Sequence, residues 1–252
     1  MIDIHMHILP GLDDGAEDIY DTLDMAQIAQ ESGTHTIIVT PHCNVPGMYA
    51  NYFSESYVEV FRKAEAAIKR EGIAVRLCPG IEVFATSDLP ELIVEGKIMP
   101  LNQSRYILIE FAFDEDPDFA DDVLKRVRGV GARPVIAHAE RYEFIQDDPQ
   151  IAYEWRKNGY LIQINKGSFA GRFGRHARMA AYRMMDHNLV SAIASDAHGP
   201  VMRTPYMQDV YEELKEEYPE RYLKILFEEN PRRICENQMT IRFKLLSFEE
   251  ID

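Results

Sequence analysis

The stretch 105–142, RYILIEFAFDEDPDFADDVLKRVRGVGARPVIAHAERY, is a strand, a helix and a second strand. Tyr106–Phe111 and Pro134–His138 are short apolar runs, and Phe119–Val130 between them has helical spacing and stops at Gly131. Neither run alternates cleanly with polar residues, which fits strands buried on both faces of a parallel sheet. Parallel neighbours need a crossover connection, and the intervening helix supplies one. Both runs end in an unexpected residue, Glu110 in the first and His138 in the second.

The same alternation extends in both directions. Further strands are expected at Ile2–His5, Thr36–Thr40, Val75–Val83, Leu161–Asn165 and Val190–Ala194. Helical patterns fill Asp18–Ser32, Phe53–Arg70 (Ser54 as N-cap), Ile151–Asn158 and Arg175–His187, each with Gly or Asn just beyond as a C-cap signal. Met207–Glu217 and Arg221–Glu229 complete the set, with Pro219 and Pro231 as stops. Strands each followed by a helix or long loop define an α/β chain, either a (β/α) barrel or an open doubly wound sheet, and periodicity leaves both open. No repeat or linker divides residues 1–252, and barrels of about 250 residues are often one domain, so a single domain is expected.

The 252 residues carry 27 Lys+Arg and 42 Asp+Glu, a net charge of −15, with 46% hydrophobic and 27% charged residues. That composition excludes a disordered or fibrous chain. The acidic balance argues against nucleic acid and anionic membrane as partners, though bound metal ions can reverse the sign locally for a small anionic substrate. No apolar window of about 18 residues and no basic leader is found, so neither membrane insertion nor export is expected. Cys43, Cys78 and Cys235 form no CxxC pair; a reducing cytoplasm is the simplest setting. A Cys-x5-Arg phosphatase loop is also missing, because Tyr49, Phe84 and Ile241 stand where its arginine would be.

The polar residues at strand ends carry the chemistry. His5 and His7 follow the first strand, spaced so that both point to one side of an extended chain. His42 follows TIIVTP, Glu82 ends LCPGIEV, Glu110 ends RYILIEF, His138 follows RPVIA, and Asp196 with His198 follows the last strand. Taken singly, each has a bland explanation: a capping histidine, a core histidine, a salt-bridged glutamate. Together they place five of the eight histidines on one rim, at the strand ends where barrels build their sites. Imidazole mixed with carboxylate and no thiolate suits Mn, Fe or Zn, and the ligands exceed one shell, so a multinuclear centre is expected.

In this order, HxH, the lone His, HAE and DxH resemble the polymerase-and-histidinol-phosphatase (PHP) superfamily. MIDIHMHILPGLDDGA, VIAHAERY and IASDAHG, with Arg203 nearby, look like one branch of it, the bacterial manganese-dependent protein tyrosine phosphatases of capsular and exopolysaccharide synthesis. The resemblance spans roughly Met1 to Gln238. It implies a distorted seven-stranded (β/α) barrel of the PHP type and three divalent ions per chain, with Mn first and Fe, Zn or Co as rivals. It further implies His5, His7, Glu82 and Asp196 on the first metal, Glu82, Glu110 and His138 on the second, and Asp14, His42 and His198 on the third, with Asp13 a rival to Asp14. Arg141 and Arg203 would bind phosphate.

The implied enzyme is a metal-dependent phosphoric monoester hydrolase. It would cleave phosphotyrosine on the tail of a membrane-associated tyrosine kinase by attack of a bridging hydroxide on phosphorus. No general acid is assigned. A small-molecule phosphatase such as one for histidinol phosphate, a nuclease and a non-catalytic metal scaffold are the alternatives. Tyr49, Tyr52, Phe84 and Tyr142 are candidates to grip a phosphotyrosyl ring, with ordinary packing the favoured role for each. Oligomeric state is left open.

Overall fold

Nine strand segments form within residues 1–248, the part of the chain that the computed structural model describes. They are β1 (Ile2–Met6), β2 (Thr36–Val39), β3 (His42–Cys43), β4 (Arg76–Cys78), β5 (Glu82–Phe84), β6 (Tyr106–Glu110), β7 (Arg133–Ile136), β8 (Leu161–Asn165) and β9 (Ala192–Ala194). One sheet has the order β1-β2-β4, the other β3-β5-β6-β7-β8-β9, and every pairing within them is parallel. The two ends of the set meet. Met6 bridges Ala197, with His7 N donating to Ala197 O and Asp196 N to His5 O, both at 2.9 Å. The parallel sheet therefore curls towards closure, as a distorted barrel does.

The strands differ from expectation in two places. Val75–Val83 is broken at Pro79-Gly80 into β4 and β5, and after the expected strand at Thr36–Thr40 an additional short strand, β3, starts beyond Pro41. Proline has no N–H to give the ladder. At Gly80 an added Cβ would lie 2.7 Å from the Ile38 side chain, so the chain turns there at close quarters. One expected strand is thus divided and one unexpected strand is added, which makes nine segments among the described residues. Both differences matter for the site: β3 opens with His42 and β5 with Glu82, and these two residues are register partners.

Side-chain alternation separates two cores. On β6, β8 and β9 one face carries Tyr106, Leu108, Leu161, Ala192 and Ala194 into one buried cluster, and the same face ends in Glu110, Gln163, Asn165 and Asp196. The opposite face, with Ile107, Ile109, Ile162, Ile164 and Ile193, shares a second cluster with helix residues such as Val123, Leu124, Val127, Ala181 and Met184. Local capping starts the helices. Asp18 accepts from Tyr20 N and Asp21 N ahead of Ile19–Glu31, and Ser54 accepts from Tyr57 N ahead of Glu55–Arg70. The helix after β6 runs Pro117–Gly129, two residues ahead of the expected start, because Asp116 caps it and Pro117 is preorganised for a first turn. For the same reason Pro231 does not stop the tail. It stands in the first turn of Asn230–Cys235, which continues from Glu220–Lys224 through a wider π-type turn at Ile225–Glu229.

Candidate metal centre

The strand ends bring together the nine side chains singled out as ligands. Glu82 Oε2 lies 3.1 Å from His5 Nε2, 3.2 Å from His7 Nε2 and 3.1 Å from His42 Nδ1. His138 Nε2 lies 3.1 Å from Glu82 Oε1 and 3.3 Å from Glu110 Oε1. Asp14 Oδ1 is 3.6 Å from both His42 Nε2 and His198 Nε2. Asp196 Oδ1 faces His5, His7 and His198 at 3.4–3.5 Å. Three overlapping groups result: His5 with His7 and Asp196; His42 with Glu82 and Glu110; and Asp14 with His7, His42 and His198. His7 and His42 are thus shared more widely than the expected division into three subsites.

Backbone strain accompanies the site. His138, Asp196 and Arg203 all have positive φ, at 33°, 49° and 49°. Such conformations cost about 1–3 kcal/mol each in non-glycine residues and cluster at functional sites. Gly15 is required by a different constraint. A Cβ there would sit 2.1 Å from His7 O, so only glycine lets the 13–16 turn lie against His7.

Neighbouring groups fix the histidine tautomers. Gln163 Oε1 accepts from the backbone N–H of His138 at 3.0 Å, so that atom is the amide oxygen, and His5 Nδ1 must donate to it at 2.9 Å. Asp13 accepts from Gly15 N, His42 N and His7 Nδ1. His198 Nδ1 donates to the carbonyl of Asp196 at 3.1 Å. In each case Nε2 is left with its lone pair towards the centre, the arrangement found around metal-binding histidines. The rivalry between Asp13 and Asp14 has a geometric outcome: Asp14 joins the cluster, whereas Asp13 stands behind His7 and orients it.

Electrostatics point the same way. Burial opposes charge on His138, yet Glu110 and Glu82 outweigh it and lift its pKa to about 10. Burial likewise opposes charge on His42 and His7, and adjacent carboxylates raise both. Burial would raise Glu82, but His5, His42 and His138 hold it well below the usual carboxylate range. His198 is pushed down to about 2 by burial and by His7. The carboxylates draw positive charge into a dry site, and divalent ions would supply it. The donors fit such ions. Glu82 Oε2, His42 Nδ1 and His198 Nε2 are buried without a hydrogen-bond partner. Ligand atoms about 2.1 Å from one ion stand about 3–3.4 Å apart, close to the separations here.

Asp196 divides its two oxygens. Oδ1 faces the histidines, while Oδ2 takes Arg203 Nη2 at 2.5 Å and Asn165 Nδ2 at 2.5 Å and lies 3.7 Å from Arg141 Nη1. Both arginines therefore border the centre. The Arg141 guanidinium is held between the rings of Phe113 and Phe173, 4.2 Å from each centroid. Of the aromatic candidates, Tyr49 stacks on His42 at 5.9 Å near the mouth. Tyr142 is buried, and its hydroxyl oxygen accepts from Phe111 N, which makes it a packing residue. Tyr52 donates to Asn44. Phe84 is half-buried on β5, in register with Glu110. The three cysteines are free and buried, and burial pushes the Cys43 thiol up to about 12, so it is no nucleophile.

Residues that the sequence reading passed over include Gln163, Asn165, Glu140, Phe113 and Phe173. Gln163 Nε2 donates to Asn165 Oδ1, Asn165 N donates to Glu140 Oε1, and Ser168 Oγ also donates to Glu140. A signal for two of them was available: Gln163 and Asn165 interrupt the buried strand LIQIN on one face, as Glu82 and Glu110 interrupt theirs.

The family described as capsular polysaccharide synthesis, CpsB/CapC, matches residues 1–236. The chain belongs to the CpsB/CapC family. Among its relatives is the tyrosine-protein phosphatase YwqE of Bacillus subtilis, 35% identical over 242 residues that cover 96% of this chain and 94% of YwqE. The tyrosine-protein phosphatase CpsB of Streptococcus pneumoniae is 31% identical, covering 95% of this chain and all of that one (100%). A crystal structure from work on YwqE and CpsB, described there as metal-dependent tyrosine phosphatases, superimposes with a TM-score of 0.91 at 34% identity, covering 98% of this chain and 99% of that one. A lactonase from Listeria monocytogenes superimposes at 0.60 with 12% identity over 96% of this chain and 95% of its own, a likeness of fold alone. The metal dependence stated for YwqE and CpsB agrees in kind with the clustered histidines and carboxylates of this CpsB/CapC chain.

Proposed function

We propose that residues 1–252 act as one metal-dependent protein tyrosine phosphatase domain of capsule or exopolysaccharide synthesis. The observation that carries this reading is the convergence of five imidazoles, His138 among them through Glu82 and Glu110, and four carboxylates beside Arg141 and Arg203, in a chain whose relatives are tyrosine-protein phosphatases. His5, His7, Asp14, His42, Glu82, Glu110, His138, Asp196 and His198 are the proposed metal ligands. Three overlapping ligand groups favour up to three ions, and Mn is the first choice among divalent metals that accept imidazole and carboxylate. When bound, such ions lower the pKa of water towards about 7 and so supply hydroxide at neutral pH.

The chain's own residues do the rest. Arg141 and Arg203 bind the non-bridging oxygens of a phosphate, for which a planar guanidinium is suited. Phe113 and Phe173 hold Arg141 at the rim, and Tyr49 offers a ring face beside His42 to an incoming aromatic group. Phenolate leaves with a pKa near 10, lower than an aliphatic alcohol, so the reaction makes small demands on proton donation. The substrate we infer is the phosphotyrosine tail of a membrane-associated tyrosine kinase, met on the cytoplasmic side. No helix among the described residues is long and apolar enough to cross a membrane.

The test is phosphate release with Mn²⁺ from a phosphotyrosine peptide and from histidinol phosphate, each with and without a strong chelator. Chelator-sensitive release that favours the peptide is expected. Preference for histidinol phosphate would move the protein to small-molecule metabolism, and no release from either would overturn the enzymatic reading.

A further inference from the structure

At the other end of the barrel, a pocket of about 170 Å³ opens where β6, β7 and β8 begin, against Tyr106, Arg133 and Leu161. Three arginines line it, Arg128, Arg133 and Arg242, and no Asp or Glu does. Arg156 lies close behind: it is 4% exposed, it feels the charge of Arg242, and its Nε has no partner. Among the described residues none of these four arginines has a carboxylate at ion-pair distance, in a chain with 42 acidic residues to choose from.

Three of the four are nevertheless fixed by hydrogen bonds. Arg128 Nη1 donates to Asn158 O at 2.5 Å, Arg156 Nη1 to Tyr160 O at 2.7 Å and Arg133 Nη1 to Tyr106 Oη at 3.2 Å. Each guanidinium has five N–H donors, so most of its hydrogen-bonding capacity remains. Gly159, at φ +87°, permits the approach of Arg242, whose Nη2 would lie 3.3 Å from a Cβ there. A buried cation without a counter-charge costs several kcal/mol, and more beside a second cation. A bound anion removes that cost.

We propose that this pocket binds a phosphate-sized oxyanion, with inorganic phosphate as the ligand. The arginine forks match tetrahedral oxyanions, and the volume is below the roughly 300–1,000 Å³ of pockets for drug-sized ligands. The site is separate from the metal centre and independent of the phosphatase reading, because it is defined by binding and not by turnover.

Equilibrium dialysis of radiolabelled orthophosphate against the Mn²⁺-loaded protein tests it. Wild type should hold one phosphate per chain more than Arg133→Gln/Arg242→Gln does. In that double variant phosphate binding at the arginine pocket should be at least tenfold weaker, with aryl phosphate turnover unchanged. Excess sulfate should displace the phosphate held at the arginine pocket. Equal phosphate stoichiometry and affinity in wild type and double variant would overturn the proposal. If the double variant melts early, Arg128→Gln/Arg242→Gln, with both residues exposed, answers the same question.

Discussion

His5 Nδ1 donates to Gln163 Oε1 across 2.9 Å, and that bond decides which nitrogen of His5 faces the metal centre. Gln163 in turn donates to Asn165, and Asn165 to Asp196. His5 and Asp196, two members of one ligand group, are therefore tied together through β8 as well as through any ion between them. Gln163→Met keeps the volume and removes the acceptor. The expected result is a 10–100-fold loss of metal affinity, with about 1–3 kcal/mol lost in stability for the unsatisfied His138 N–H. Metal titration and thermal melting of the same variant measure the two effects; unchanged metal affinity would show that Gln163 does not position His5.

Arg141 should be separable from metal binding. Arg141→Ala is expected to retain its metal and lose phosphate handling, whereas His138→Ala should lose metal and rate together. Bound metal measured by atomic emission, alongside turnover, distinguishes the two.

Phe173 should act through Arg141. Each guanidinium–ring contact is worth about 0.5–2 kcal/mol, so Phe173→Ala should raise KM for an aryl phosphate by about two- to thirtyfold with kcat little changed. Phe173→Tyr keeps the ring and should restore the wild-type KM. A fall in kcat alone, or no rescue by tyrosine, would argue for a different role.

Removing the metal should change the pH dependence of stability. In the chelated protein His138 has its pKa raised to about 10, with His7 and His42 also raised. A raised histidine stabilises fully below its unfolded value of about 6.5 and loses that contribution as pH rises through the folded value. The chelated protein should therefore lose melting temperature between pH 7 and 10. The Mn²⁺-loaded protein should not follow that decline, because metal binding displaces those protons. Parallel declines in the two forms would contradict this assignment of charge.

Gly15→Ala should be costly although no ligand is touched. The new methyl would meet His7 O at 2.1 Å, so the 13–16 turn must move and carry Asp13 and Asp14 with it. Reduced metal affinity and a lower melting temperature are expected, and native values of both would show that the turn relaxes freely.

Much of this protein is legible from its sequence by itself. Buried apolar runs, each followed by a helix with its own cap and stop, specify an α/β chain, because propensity and capping are local. A histidine or carboxylate at the end of such a run is conspicuous for the same reason, and eight of the nine proposed ligands carry that signal; Asp14 was implied only by the family resemblance, with Asp13 as its rival. Tertiary structure alone decided the rest. The break at Pro79 divided one expected strand, an unexpected short strand formed beyond Pro41, and His42 and Glu82 became register partners, which depends on the neighbouring strands and not on the runs themselves. Asp13 separated from Asp14, Gln163 met His5 across 158 positions of sequence, and Phe113 and Phe173 closed on Arg141. These contacts join residues far apart in the chain, or adjacent ones whose directions only packing fixes, and the four arginines at the opposite mouth are neighbours only once the barrel has curled.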